Sequence, residues 1–189
     1  MPRPDRSRAA LLDTAAQLFR RQGYAATGIN QILDVAQVKA GSLYHHFPDG
    51  KAELAAAVVD TVGGGIGAVL RQMLAADEPA ADLVDRWVDV AAANLRADER
   101  DGCPIEPIAT EAVTASPVVR AAATRAFGDW LGAVADRLRA DGWDPVRADE
   151  TARAVLSLIE GALLLSRVSG EPSALLAAKT AARVLLERA

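Results

Sequence analysis

The 189-residue chain has a single cysteine, Cys103, and so cannot form an intramolecular disulfide. Aromatics make up only 4% of it and long β-branched runs are missing, which leaves little material for sheets. Its two histidines, His45 and His46, are adjacent. Neighbours on a helix diverge by about 100° and cannot chelate together, and no carboxylate or cysteine pair stands at ligand spacing. No metal and no cofactor is expected. There is no Ser-His-Asp order, paired-carboxylate motif or glycine-rich phosphate loop, so a helical enzyme acting on a small apolar substrate ranks behind every binding function. Apolar runs fall short of the roughly 20 residues that span a bilayer, ALLLSRVSG being broken by Arg167, and MPRPDRSRAA lacks the apolar core of a signal peptide. A cytoplasmic chain with no membrane partner is expected.

What is present favours helices. The hydrophobic fraction of 51% is dominated by Ala, Leu and Val, which makes all-α the expected class. The net charge is −4, yet residues 1–51 carry seven basic groups against four acidic ones, or +3, so the remainder carries −7. A positive field gathered at one end suits a polyanion partner bound there.

Residues 5–22 place Leu11, Leu12, Ala15, Leu18 and Phe19 at helical spacing, with Gly23 as a stop. Ile29, Ile32, Leu33 and Ala36 form one face of a second helix of about eight residues, which the Thr27 hydroxyl is placed to cap. After a break at Gln37-Val38, AGSLYHHF sets Leu43 and Phe47 four apart and pointing inward together. Three short helices with a tight turn before the last form a helix-turn-helix, whose second member enters the DNA major groove. Ala40 and Gly41 would let that helix approach closely, and Lys39, Ser42, Tyr44 and His45 would reach phosphates or base edges. His46 reads as a packing or capping residue.

Further helices are expected at about 50–76, 80–98, 104–114, 117–141, 146–168 and 172–188. The 117–141 helix opens with Ser116 as cap and Pro117 at its first position. GGGIG at 63–67 marks a bend, a close crossing or a hinge in the fourth helix. The last two helices are apolar over more than one stripe, with Gly161, Ala162, Ala177, Ala178, Ala181 and Ala182 on crossing faces, and a partner chain is the simplest cover. A two-fold dimer would present two reading helices about 34–36 Å apart, or a multiple of that turn, to a palindromic site. Trp87, Phe127 and Trp130, with Met73, form either ordinary core or the lining of a cavity, and Glu106 and Glu111 face either that cavity or solvent. Cys103 reads as core packing or pocket lining rather than a sensor.

Phe19, Gly23-Tyr24, Thr27, Ile29, Ile32, Ala36, Val38, the run Gly41-Ser42-Leu43-Tyr44-His45-His46-Phe47 and Lys51 together resemble the N-terminal domain of the TetR family of bacterial transcriptional regulators. Residues 102–130, opening with Gly102-Cys103 and carrying Ser116-Pro117, resemble its LmrA/YxaF-like subgroup. The resemblance implies a DNA-binding domain over 1–48 and a ligand-binding and dimerisation domain over 49–189. It implies a homodimeric repressor released from a palindromic double-stranded operator by a small-molecule effector; a dimer without ligand response is the alternative. Thr27 and Gly28 would lie near phosphate, Lys39, Ala40, Gly41, Ser42, Tyr44 and His45 would face DNA, and Lys51 would reach the backbone. Met73, Trp87, Ile108, Glu111, Phe127 and Trp130 would line the ligand site. Leu158, Gly161, Ala162, Leu165, Leu176, Ala178 and Ala182 would form the dimer interface. Two positions depart from the family pattern: Gln37 stands where the turn usually has Gly, which would remodel that turn, and Lys39-Ala40 replaces a Ser-Lys or Ser-Arg pair.

Overall fold

The computed structural model describes residues 6–98 and 102–187; Asp5 and Arg188, in the expected first and last helices, lie outside that range. The described residues form nine α-helices: α1 (Arg6–Gln22), α2 (Ile29–Ala36), α3 (Ala40–His46), α4 (Lys51–Leu74), α5 (Ala80–Ala97), α6 (Glu106–Ala112), α7 (Pro117–Ala140), α8 (Pro145–Ser169) and α9 (Ser173–Leu186). The expected all-α class holds. Pro104 and Ile105, expected inside α6, belong instead to the turn before it.

The described residues divide into two compact units, one within 6–64 and 104–126, the other within 65–98, 102–103 and 127–187. In the first, Leu11, Ala15 and Phe19 of α1 are buried with Ile32, Leu43, Phe47 and Leu54, so the short helices close over one core. Each of α2 and α3 has only two turns or so and would not persist alone; burial of this apolar face stabilises them. The Ser116 hydroxyl accepts from the Val119 N–H at 3.4 Å, the expected cap of α7. α4 runs unbroken through GGGIG. A Cβ on Gly63 would lie 2.7 Å from the Cβ of Ala126 on α7, so of the three readings of this run the close crossing accounts for Gly63.

In the second unit the core gathers Leu70, Leu83, Val88, Trp130, Leu138 and Ile159. The Arg137 guanidinium donates to the carbonyls of Leu74, Ala76 and Glu78, holding the end of α4 and the turn that follows it. Asp144 caps α8 by accepting from the amides of Val146 and Arg147 at 3.1 Å each. Arg183 of α9 pairs with Asp82 and Asp85 of α5, and Lys179 with Asp89, lacing those two helices together.

By length and composition α4 is apolar enough to cross a membrane, contrary to the expectation that no apolar stretch is long enough. Of its most apolar stretch 44% is buried in the protein, and Leu54, Val58 and Leu70 are among its buried residues.

Candidate nucleic-acid interface

Gln37 ends α2 at the turn into α3. It adopts the left-handed conformation, φ 55° and ψ 40°, that the usual Gly would take. Its N–H donates to the carbonyl of Asp34, that of Val38 to Leu33 at 3.0 Å, and its side-chain amide to Asp34 at 2.6 Å. The expected remodelling is absent: the paired bonds of a helix-ending turn are kept, and the extra amide bond offsets part of the steric cost.

Beyond this turn Lys39 is extended and begins α3. Lys39, Ala40, Gly41, Tyr44 and His45 are all exposed on this helix, Tyr44 at 51%, while Leu43 and Phe47 anchor the opposite face. A half-exposed tyrosine beside a histidine and a lysine, on a helix whose first turn has no bulky side chain, can hydrogen-bond to base edges and phosphates. Ser42 departs from this set. Its hydroxyl donates to the Ser7 hydroxyl at 2.8 Å, and Ser7 lies 3.2 Å from His46 Nε2, so Ser42 and His46 tie α3 to α1.

Thr27 is also corrected. It is fully buried, and Gly28, with no side-chain cap, occupies the N-cap of α2. The Thr27 hydroxyl donates to the Gly23 carbonyl at 2.7 Å and accepts from Gln22, so it braces the turn between α1 and α2 rather than facing a phosphate. Gly28 is exposed. Lys51 is half-buried, its ammonium 4.2 Å from the centre of the Tyr24 ring. Burial pushes the Lys51 ammonium below its ordinary value, and the charge of Glu111 pulls it partly back.

Glu111 was expected at a ligand cavity or in solvent. It is exposed, but its carboxylate accepts from the Ala25 N–H at 2.6 Å, which places it on the helix-turn-helix. Ile108 is fully buried. These two belong to the first unit; Met73, Trp87, Phe127 and Trp130 belong to the second. Phe127 meets Trp130 edge to face at 5.1 Å, and Trp130 is 1% exposed, packed where Gly67 leaves room for its ring. None of the six lines the cleft of about 450 Å³ in the first unit, bordered by Gln17, Arg20, Arg21, Val62 and Pro104, or that of about 320 Å³ in the second. Cys103 is buried, in keeping with a packing role.

On α8 and α9, Ala162, Ala178 and Ala182 are buried within the chain and are corrected from the expected partner-facing set. Gly161, Leu165 and Leu176 are exposed and Leu158 half-buried. Leu164, Val168 and Val184 join the exposed apolar residues, Val168 at 80%.

A family model described as "Bacterial regulatory proteins, tetR family" matches residues 11–58, and one described as "Transcriptional regulator LmrA/YxaF-like, C-terminal domain" matches residues 80–181, more than half of the chain. The chain belongs to the TetR family of transcriptional regulators. It is 32% identical over 183 residues to the HTH-type transcriptional regulator LmrA of Bacillus subtilis, covering 96% of this chain and 97% of that one. It is 31% identical over 171 residues to YxaF of the same organism, covering 90% of each. Among solved structures, a TetR regulator from Legionella pneumophila shares the fold with a TM-score of 0.81 at 24% identity, covering 92% of this chain and 93% of that one. The TetR-family assignment makes the protein a DNA-binding regulator, not an enzyme.

For this TetR-family member the local patterns of α2 and α3 mark the exposed helix, whereas two longer-range contacts beside it leave no local signal. Tyr24 and Lys51 pair across 27 positions, which leaves no periodic trace. The bond from Glu111 to Ala25 spans 86 positions and is equally invisible locally.

Proposed function

We propose that this regulator is a homodimeric repressor. It binds a palindromic operator through α3 of each subunit and is released by a small-molecule ligand. Residues 1–48 read DNA, residues 49–189 bind the ligand and the second subunit, and the protein works in the bacterial cytoplasm. Support for the reading comes chiefly from the exposed face of α3, where Lys39, Ala40, Gly41, Tyr44 and His45 stand together on a buried anchor. Gly28 and Lys51 lie at the helix starts on either side of α3, where backbone phosphates are met. The exposed apolar residues Leu164, Leu165, Val168 and Leu176 support a second copy as partner, since a monomer gains nothing by leaving them in water.

The test is titration of a duplex selected by the protein from a randomised pool. Tyr44→Ala weakens binding by about tenfold, the cost of one good base contact, and leaves the oligomeric state unchanged. Lys51→Ala weakens all sequences about equally and lowers the salt slope by about one. An unchanged affinity for Tyr44→Ala removes α3 as the reader.

Ile108 and Trp130 favour a second reading, a DNA-binding dimer with no small-molecule response. A side chain lining a water-sized cavity keeps some accessible surface, and these two keep 0% and 1%. Calorimetry with apolar and aromatic ligands, read as displacement of bound duplex, separates the two.

A further inference from the structure

The turn between α1 and α2 is held from outside by a residue of α6. One oxygen of the Glu111 carboxylate accepts from the Ala25 N–H at 2.6 Å. The other lies 2.5 Å from where a Cβ on Gly23 would stand, so Gly23, at φ 88°, supplies both the left-handed bend and the room for the carboxylate. Tyr24 carries the Lys51 ammonium on its ring, and that ammonium feels the Glu111 charge. Gly23, Tyr24 and Ala25 are thus each engaged, directly or through Lys51, by Glu111. The turn leads without slack through the buried Thr27 to Gly28 and the start of α2.

We propose that Glu111 is a positioning residue for DNA binding: by seating its carboxylate on the Gly23–Ala25 turn it fixes α2 and the Lys51 end of α4 in the register that α3 needs to read DNA. α6 thereby has a direct hold on the turn between α1 and α2. This rests on α2 and α3 being the DNA reader. A carboxylate without such a role has the opposite effect, because a negative charge near Lys51 repels phosphate and its removal tightens binding.

The two signs decide the matter. Wild type, Glu111→Gln and Glu111→Ala are titrated against a duplex selected by the wild-type protein, and amide hydrogen exchange is followed at Ala25 and in the α1 core. Glu111→Ala is expected to bind about tenfold more weakly, the loss of one charge-assisted hydrogen bond. Its Ala25 amide exchanges faster while those of Leu11 and Phe19 keep their protection. Glu111→Gln, which retains an acceptor oxygen, stays within about threefold of wild type. Equal or tighter binding by Glu111→Ala overturns the proposal, as does an unchanged Ala25 exchange rate or a Glu111→Gln variant as weak as the alanine. If the wild type selects no duplex at all, the DNA reading of α2 and α3 fails, and the proposal falls with it.

Discussion

At Lys51 the stability of the fold and the proposed phosphate contact pull in opposite directions. Its ammonium is partly desolvated over Tyr24 and held below its ordinary value near 10.5. The unfolded chain therefore binds the proton more tightly than the folded one. This group's contribution to stability rises with pH between its lowered value and 10.5, and at neutral pH its charge is a cost of folding. Lys51→Met is expected to raise the urea midpoint at pH 7 while weakening duplex binding. Thr27 has no such conflict: its buried hydroxyl both donates and accepts, so Thr27→Val costs about 1–2 kcal/mol by urea denaturation. At Gln37 the backbone conformation dominates. Gln37→Gly stays within about 0.5 kcal/mol of wild type, whereas Gln37→Val, β-branched at a positive φ, loses about 1–3 kcal/mol.

At the scale of elements, α4 carries three successive glycines whose neighbourhoods differ. Gly63 faces Ala126 so closely that a methyl group would have to push α7 away, while Gly64 and Gly65 have open space around their Cα atoms. Gly64→Ala and Gly65→Ala are expected to stabilise by about 0.5–1 kcal/mol each through helix propensity, and Gly63→Ala to destabilise by about 1–3 kcal/mol through overpacking. Thermal melts of the three single variants check this; equal shifts would mean that the crossing at Gly63 is not tight. Helix existence and type were legible throughout, because apolar periodicity and the stop signals at Gly23, Pro79 and Gly142 act locally. The role of the glycine run was not, since a glycine that relieves a contact and one that only weakens a helix have the same local sequence.

For the whole molecule the exposed row on α8 and α9 sets the expectation. If a second copy covers it, the melting temperature rises with protein concentration, and Leu165→Glu with Val168→Lys yields a monomer by sedimentation, melting lower and no longer responding to concentration. A concentration-independent wild-type melting temperature would leave that face without a second copy. The sequence singled out α8 and α9 for this role from their excess apolar surface. It misassigned Ala162, Ala178 and Ala182, because small residues at crossing faces serve an intrachain helix pair as well as an interchain one.

The sequence by itself determined the nine helices of the described residues, the positive N-terminal end and the apolar anchor of α3, because each depends on residues a few positions apart or on their bulk charge. Only the tertiary structure decided that Thr27 and Ser42 point inward, that Gln37 keeps the glycine conformation, that Lys51 rests on Tyr24 and that Glu111 serves the helix-turn-helix. Most of these depend on pairs brought together by packing across tens of positions. No periodic pattern records such a pair, because either partner alone fits equally well in solvent.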